Sequence, residues 1–415
     1  MRYRKVKKIL IVAQGTYGDV FPMIALGEAL QDSGHEVTLA IEAEYSALVE
    51  SRGLDGFVYV RGILATVQAL PKGNSMQDVL RTVAEATPEA YAALRAWLDA
   101  HPVDLVIRHF FDMAALILVR ERGLVYVNAF LSGASLFSRY DLPYSEDFKF
   151  MLRLAKVPGL AKAAMKLNFR LMTLGALRDY ARFSRAKGVS PEASFAHVSP
   201  HYNLVLASKL LFPPQPDWPE NVSVTGYAFL EGLDFDAAEW GRFQQFVHYA
   251  GERPIIVTLG SSELDDEVTL YTQAIQSLRR VYPDTPLAIV AHETIREQLR
   301  FPNVAVFNRI DYARVFPQAK LIFHQGGLGT TMEALRAGRP QVIISRLADR
   351  PDNGLRVERL GCGVWQPDLS PEVVARSREL LEPHVLQKCT EAALYIRGNP
   401  WKLQVRQALR RYLGN

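Results

Sequence analysis

The segment that carries the most chemistry is FHQGGLGTTMEALRAGR, from Phe323 to Arg339. It follows the apolar run AKLIF, which is typical of a buried strand, and it continues in a helical pattern. Such a turn makes an anion site, because unbonded backbone N–H groups and the positive end of the helix dipole converge there. The turn also contains glycines, which let a phosphate approach the backbone, and threonines, whose hydroxyls can donate to it: Gly326, Gly327, Gly329, Thr330 and Thr331. We call residues 324–330 the glycine-rich turn and predict that it binds a nucleotide phosphate.

Two better-known phosphate motifs do not fit this turn. GGLGTT lacks the third glycine of the dinucleotide fingerprint, and no Gly-Lys-Ser/Thr follows it as in a Walker A loop. A turn that serves only tight packing of helix against strand is the structural alternative. Three glycines, a histidine and two threonines are more than packing requires, so we favour a binding role.

The elements around this turn repeat one architecture in two halves. The first half begins with a strand (Ile9–Ala13), a GTYGD turn, a helix that ends at Gly34 and a second strand, which together form a βαβ unit. The second half restarts the scheme at ERPIIVTLGS. We therefore predict an α/β protein with two facing, Rossmann-like, doubly wound domains and an inter-domain ligand cleft at the carboxyl ends of their strands.

The proline-rich stretch PPQPDWPENVSVTGYAFLEGLDFD separates the halves. We place an N-terminal domain at 1–215, a linker region at 216–250 and a C-terminal domain at 251–398. A basic amphipathic helix at 399–415 is predicted to pack back on the N-terminal domain.

Composition narrows the possible partners and compartments. The chain has 415 residues with a net charge of +4, a mild excess that gives no argument for nucleic acid. Its two cysteines have no CxxC spacing, which fits a reduced cytoplasmic setting without structural zinc. The apolar core of the basic N-terminus is too short for a signal peptide, and no apolar run is long enough to span a bilayer. We predict a soluble cytoplasmic protein.

The segment HQGGLGTTMEALRAGRPQVIISRLADRPDNGLRVERLGCG resembles the donor-binding motif of family 1 glycosyltransferases of the GT-B fold. Further ordered matches are IIVTLGSS, PPQPDWPENVSVTGYAFLE and AQGTYGDVFPMIALGEALQDSGHEVTLA, although residues 50–200 are only loosely covered. The similarity is greatest to sterol-glucosyltransferase-like and rhamnolipid-type members, which glycosylate lipophilic hydroxyl compounds. The resemblance implies transfer of a sugar from a UDP- or dTDP-hexose to such an acceptor, without any further cofactor.

The resemblance also assigns donor contacts. It implies that His324 and the glycine-rich turn hold the diphosphate, that Glu333 accepts the ribose hydroxyls, and that the backbone around Ile310 holds the base. The other implied contacts to phosphate and sugar are Ser261, Gly326, Gly327, Gly329, Thr330, Asp349, Arg350 and Asn353, with Asp349 and its neighbour Arg350 at the sugar hydroxyls.

One residue departs from the family pattern, because Arg350 stands where the family commonly has glutamine after Asp349. Glutamine both donates and accepts hydrogen bonds, whereas arginine only donates and carries a charge. Either the donor sugar differs from glucose or Arg350 turns outward.

On the acceptor side, Asp19 occupies the place of a catalytic histidine in many relatives and of an aspartate in antibiotic-pathway members. A general base there would contribute about 10²–10⁴-fold. An exposed aspartate has a pKa near 3.9, so the site would need partial desolvation. Asp19 could also cap a helix that begins at Phe21, and the two roles can coexist. Asp112 and His109, in RHFFD, could form a relay with it.

No metal-ligand constellation stands out in the sequence, so we predict a metal-independent single displacement that inverts the anomeric carbon. Between Lys149 and Lys187 stand ten basic residues and one acidic residue. This segment predicts either a helical acceptor lobe with a solvated basic face or a contact with an anionic membrane surface, at the inner membrane face.

We predict an inverting, metal-independent hexosyltransferase. Two alternatives stay open: a nucleotide-sugar epimerase of the same fold, and a catalytically degenerate homologue that binds and activates a true transferase.

Overall fold

The computed structural model describes residues 6–68, 76–144, 160, 163–164, 167, 171, 175, 177–191, 197–233, 237–259, 267–308 and 310–414. These residues form two compact units. The first contains the residues up to Pro143, the described residues between 160 and 231, and the residues from Pro400 onward. The second contains Tyr144 and the described residues from 232 to 399.

In the first unit the described strands form one parallel sheet with the order β3-β2-β1-β4-β5-β6-β7. Their bounds are β1 (Lys8–Val12), β2 (Glu36–Glu42), β3 (Asp55–Val60), β4 (Leu105–His109), β5 (Tyr126–Phe130), β6 (Tyr202–Val205) and β7 (Val222–Val224). The helices are α1 (Tyr17–Gln31), α2 (Ser46–Ser51), α3 (Ile63–Gln68), α4 (Met76–Ala100), α5 (Met113–Glu121) and α6 (Arg178–Ala186).

The central strands of this sheet are continuous apolar runs because helices cover both faces. In β1 the residues Ile9 to Val12 are all buried, and β4 and β5 are buried throughout. Helix α5 is buried along almost its whole length and packs on α4. This side of the sheet therefore holds a large core to which α3, α4 and α5 contribute.

The second unit repeats the arrangement with the strand order β10-β9-β8-β11-β12-β13, also parallel. Its strands are β8 (Ile255–Thr258), β9 (Leu287–Val290), β10 (Val304–Phe307), β11 (Leu321–His324), β12 (Gln341–Ile344) and β13 (Gly363–Gln366). Its helices are α7 (Ala237–Ala250), α8 (Glu267–Val281), α9 (Tyr312–Val315), α10 (Leu328–Ala337), α11 (Arg350–Leu360), α12 (Pro371–Arg376) and α13 (Pro383–Arg397). Two doubly wound parallel sheets of Rossmann type confirm the predicted fold class.

The chain ends with two helices that belong to the first unit, α14 (Trp401–Ala408) and α15 (Arg410–Leu413). Helix α14 packs on α1, where Lys402 pairs with Asp32 at 3.2 Å. The Tyr412 hydroxyl of α15 donates to the backbone oxygen of His201 at 2.8 Å. The predicted return of the C-terminal helix to the N-terminal domain is therefore confirmed.

Two predictions fall largely on residues without a description. Most of the basic segment 149–187 lies outside the described residues, and so does Ser261. The acceptor-lobe and membrane interpretations of that segment stay predictions. Among the described residues, no helix combines the length and the apolar character needed to cross a membrane.

Candidate active site

Each sheet has one place where the strand order reverses. In the first sheet it lies between the neighbours β1 and β4, and in the second between β8 and β11. The connections that leave such a pair run to opposite faces, which opens a crevice at the carboxyl ends of the strands. The turn after β1 leads to Asp19, and β4 ends at His109. Strand β11 ends at His324, so the glycine-rich turn stands at the corresponding place in the second sheet.

His324 stabilises the conformation of the glycine-rich turn through hydrogen bonds, and its side chain is fully buried. The backbone N–H of Gly326 donates to its Nδ1 at 3.1 Å, so the proton resides on Nε2, which donates to Oε1 of Gln341 at 2.9 Å. Burial lowers the pKa of His324 to about 4, although the bond to Gln341 opposes the shift. His324 is therefore a neutral residue that shapes the turn, and its implied direct contact with phosphate stays a prediction.

Gly326 must be glycine for the turn to close. Its φ of 85° lies in the left-handed region, and a Cβ there would stand 2.6 Å from Cγ2 of Ile343 and 3.0 Å from the backbone oxygen of Arg350. At Gly327, by contrast, the nearest atom to an added Cβ is Nε2 of Gln325 at 3.7 Å. Gly326 thus fits closely into the fold, while Gly327 faces open space.

Helix α10 begins directly after Gly327, which has no side chain to cap its first turn. The backbone oxygen of Gly327 accepts from Thr331 N at 2.9 Å. Gly329 and Thr330 are half-buried and reachable, whereas Thr331 is buried and its hydroxyl has no hydrogen-bond partner among the described residues. The first turn of α10 therefore has backbone N–H groups without a side-chain cap and one half-buried hydroxyl, and anion binding there stays a prediction.

Asn353 joins the glycine-rich turn to the start of α11. Its buried Nδ2 donates to the backbone oxygen of Gly326 at 3.0 Å and to Oδ2 of Asp349 at 3.1 Å. Asp349 is the residue that precedes α11. Hydrogen bonds thus run continuously from Gln341 through His324, Gly326 and Asn353 to Asp349, so the proposed phosphate and sugar contacts share one rigid support.

Glu333 and Ile310 are the other described residues that were predicted to contact the donor. Glu333, in the second turn of α10, is half-buried and forms an ion pair with Arg336 on the same helix, with an oxygen–nitrogen distance of 2.7 Å. Ile310 is buried in the core beside α9, and its neighbour at 309 lies outside the described residues. Their implied contacts with ribose and base stay predictions.

On the acceptor side, Asp19 and His109 meet. Oδ1 of Asp19 lies 3.7 Å from Nε2 of His109, and the exposed fractions of the two side chains are 34% and 2%. Burial and the charge of Arg108 lower the pKa of His109 to about 3, so this imidazole is neutral. Neither ring nitrogen makes a hydrogen bond within the described residues. Asp19 is thus the accessible member of the pair, and the buried, neutral His109 lies next to it.

Asp19 also caps α1, but not in the predicted way. The helix begins at Tyr17 rather than Phe21, with Thr16 as N-cap and Asp19 in its first turn. Oδ2 of Asp19 accepts from both N and Oγ1 of Thr16 at 2.8 Å, which is a capping box. Gly15 makes room for this carboxylate, since a Cβ there would stand 2.7 Å from Oδ2.

Asp112 has different partners. Its buried carboxylate accepts from the Tyr59 hydroxyl at 2.5 Å and from the backbone N–H of Ala115 at 2.6 Å, so it caps α5. Burial raises the pKa of Asp112, although these hydrogen bonds and Arg108 oppose the shift. The described contacts therefore bring His109 to Asp19, but they tie Asp112 to Tyr59 and to a helix end. A relay that includes Asp112 stays a prediction.

Two family models match the chain. The glycosyltransferase family 28 N-terminal domain covers residues 9–103, and the erythromycin biosynthesis protein CIII-like C-terminal domain covers residues 278–390. The O-mycaminosyltylonolide 6-deoxyallosyltransferase of Streptomyces fradiae is 27% identical, over 94% of this chain and 92% of that protein. The sterol 3-beta-glucosyltransferase UGT80B1 of Arabidopsis thaliana is 28% identical, over 98% of this chain and 68% of that protein.

Solved structures of other glycosyltransferases superpose on nearly the whole length of this chain. The glycotransferase of kitacinnamycin has a TM-score of 0.72 at 19% identity, with 99% of each chain covered. Glycosyltransferase VinC, solved in complex with DTDP, has a TM-score of 0.68 at 18% identity and covers 98% of this chain and 100% of its own. This chain is a family 1 glycosyltransferase of the GT-B fold.

Sequence reasoning missed two residues that support the site of this glycosyltransferase. Gln341 fixes the tautomer of His324, and Arg108 donates to the backbone oxygens of Phe110 and Asp112 at 2.7 and 2.6 Å, which shapes the turn after β4. Both carry a signal, since each is a buried polar residue in a strand that is mostly apolar. Such a residue requires a buried partner, but the sequence does not name it.

In the described part of the glycosyltransferase, no three His, Cys, Asp or Glu side chains lie together in a way that could hold a metal ion. The expectation that transfer needs no metal stays a prediction.

The low pKa of His324 predicts that acid weakens the fold. The pKa is about 4 in the folded protein and 6.5 when unfolded, so between these values the unfolded chain binds more protons and is favoured. The stabilisation is complete above pH 6.5 and falls as the pH decreases toward 4. We expect this residue to lower the free energy of unfolding by about 2 kcal/mol between pH 7 and pH 5.

Thermal unfolding at the two pH values measures the effect. Replacement His324→Gln should reduce the pH dependence, whereas His248→Gln, at an exposed position, should leave it unchanged. Equal pH dependence in all three proteins would contradict the prediction.

Proposed function

We propose that this glycosyltransferase moves a hexosyl group from UDP- or dTDP-hexose to a hydroxyl of a lipophilic acceptor, by one displacement that inverts the anomeric carbon and needs no metal. The observation that carries the proposal is the placement of two complementary sites at equivalent points of the two sheets. An uncapped helix N-terminus follows β11, and an accessible carboxylate backed by His109 follows β1.

The donor end is proposed to bind the diphosphate through the glycine-rich turn and the first turn of α10. When the bond from the anomeric carbon to the diphosphate breaks, the electron pair goes to the leaving phosphate oxygen. Backbone N–H groups and the dipole of α10 stabilise that charge without rearrangement, because they are already oriented. Asp349, fixed by Asn353, is proposed to orient the sugar hydroxyls.

On the acceptor side Asp19 is proposed to take the proton of the acceptor hydroxyl as oxygen bonds to the anomeric carbon. Neutral His109 can donate Nε2–H to Oδ1 of Asp19 once the 3.7 Å separation shortens, which would keep this carboxylate oriented. The Thr16 capping box holds the other oxygen. A carboxylate with one oxygen anchored in this way has a defined direction toward the acceptor.

The proposed acceptor is lipophilic because aromatic side chains lie next to His109 and on the helix that carries Asp19. The His109 ring contacts Phe110 with a centroid distance of 4.8 Å, and Tyr17 contacts Phe21 at 5.2 Å in the helix that carries Asp19. Tyr17, Phe21 and Phe110 are half-buried, so these three side chains are partly exposed at the surface. Relatives named for a macrolide and for a sterol substrate fit such a surface.

A panel of nucleotides tests the proposal first. We expect UDP or dTDP, or the corresponding sugar donors, to raise the unfolding temperature, because a ligand at one hundred times its dissociation constant stabilises by about 2.7 kcal/mol. Inorganic phosphate and the uncharged nucleosides serve as controls and should give a smaller shift. Absence of a shift with all uridine and thymidine diphosphates and their sugars would refute donor binding. With a donor found, the anomeric configuration of a product formed from sterol or macrolide aglycones tests inversion and acceptor class.

A further inference from the structure

Arg350 lies against the glycine-rich turn. It is the first residue of α11, and a Cβ added to Gly326 would stand 3.0 Å from its backbone oxygen and 3.3 Å from its own Cβ. The residue is half-buried, and it is not among the buried side chains whose polar atoms are sealed from the surface. Its side chain therefore begins beside the glycine-rich turn and is partly exposed.

The charge of Arg350 is poorly compensated inside the protein. Burial lowers its pKa and only Asp349 opposes the shift, while Oδ2 of Asp349 already accepts from Asn353. Within the described residues the guanidinium makes neither a hydrogen bond nor an ion pair. A cation in the first turn of a helix also opposes the positive end of the helix dipole. A bound anion would supply the counter-charge that the described residues do not.

Two neighbouring arginines differ from Arg350 because each has a carboxylate partner within the protein. Arg356, further along α11, bonds Asp352 at 2.7 Å, and both side chains are buried. Arg346, four residues before Arg350, pairs with Asp368 at the surface. Arg350 lies between these two pairs and has no carboxylate within ion-pair distance among the described residues.

We propose that Arg350 binds the diphosphate of the nucleotide-sugar donor and stabilises the charge of the leaving group. This inference rests on the proposed function and adds a residue to it. As the acceptor oxygen bonds to the anomeric carbon and its proton passes to Asp19, the bond from that carbon to the phosphate oxygen breaks. The electron pair moves onto the phosphate, and the planar guanidinium donates N–H groups to it. The diphosphate accompanies every donor, whichever sugar is attached, so this role needs no special sugar.

The binding experiment compares Arg350→Gln, Arg350→Lys and the control Arg346→Gln by calorimetry with UDP, dTDP, the monophosphates and the nucleosides. We expect Arg350→Gln to weaken diphosphate binding at least about tenfold and to leave nucleoside binding unchanged, since the variant loses charge-assisted hydrogen bonds to the phosphate groups. Arg350→Lys should retain part of the affinity, and Arg346→Gln should change it less than twofold. Unchanged unfolding temperatures would show that every variant is folded.

The outcomes separate this inference from the function on which it rests. If the unaltered protein binds no nucleoside diphosphate, the proposed function fails. If it binds UDP or dTDP and Arg350→Gln binds them equally well, the function stands and the role of Arg350 is refuted. If Arg350→Gln loses affinity only for a donor whose sugar carries a carboxylate, Arg350 recognises the sugar and the proposal is likewise refuted. Loss of diphosphate affinity together with a lower kcat confirms it.

Discussion

Replacement of Asp19 by asparagine is expected to lower kcat by at least about 100-fold while nucleotide binding remains unchanged, because a positioned general base contributes about 10²–10⁴-fold. Asparagine has nearly the same shape and retains an oxygen that can accept from Thr16, so the capping box of α1 should persist. The variant removes mainly the capacity to accept a proton. Turnover with a fixed donor and acceptor, together with the donor dissociation constant, measures the effect.

Thr16→Val serves as the matched control, because it removes a hydroxyl donor of the capping box without touching the carboxylate. We expect it to destabilise the protein by about 0.5–2 kcal/mol and to reduce turnover far less than Asp19→Asn does. If both variants lose turnover to the same extent, the role of Asp19 is structural. Full activity of Asp19→Asn would remove it as the base.

Replacement of Gly326 by alanine is expected to destabilise the second unit by about 2–6 kcal/mol, because left-handed backbone and close packing each add strain. The methyl group would stand 2.6 Å from Cγ2 of Ile343. Any relief of that contact moves the turn away from His324, whose Nδ1 accepts from the Gly326 N–H. We therefore expect loss of nucleotide binding together with a lower unfolding temperature.

Gly327→Ala separates binding from folding in the same turn. The nearest atom to its methyl group would be 3.7 Å away, and φ of −56° with ψ of 139° suits alanine. The unfolding temperature should stay unchanged, but the methyl group would occupy the open side from which phosphate approaches, so nucleotide affinity should fall. If Gly327→Ala binds nucleotide normally, the anion does not lie over this part of the turn.

The sequence predicted most of the fold because buried parallel strands are apolar runs with clear boundaries. Runs such as Ile9–Ala13 and AKLIF alternate with helical patterns of the expected length, and this alternation requires parallel sheets. The start of α1 was predicted wrongly. Gly18 and Pro22 are unfavourable in helices and therefore concealed the start at Tyr17, where Thr16 and Asp19 form a capping box.

Side-chain partners were less accessible to sequence reasoning because sheet order, and not sequence distance, brings them together. His109 meets Asp19 since β1 and β4 are neighbours, and Glu42 accepts from the backbone N–H of Gly15 because β2 flanks β1. Residue types had marked Asp19 and His109 as chemically active. Only the structure ties Asp112 to Tyr59 and His324 to Gln341.

The return of α14 and α15 to the first unit governs how this enzyme can be recombined with its relatives. Because the second unit runs from 232 to 399 and the chain then rejoins the first, it behaves as an insert and not as a terminal module. A chimaera made at a single junction near 232 would take α14 from one parent and its partner α1 from another, and the buried Val405, Leu409 and Leu413 would meet a foreign surface. Exchange of the second unit therefore calls for two junctions, near 232 and near 400, with both ends of the chain kept from one parent.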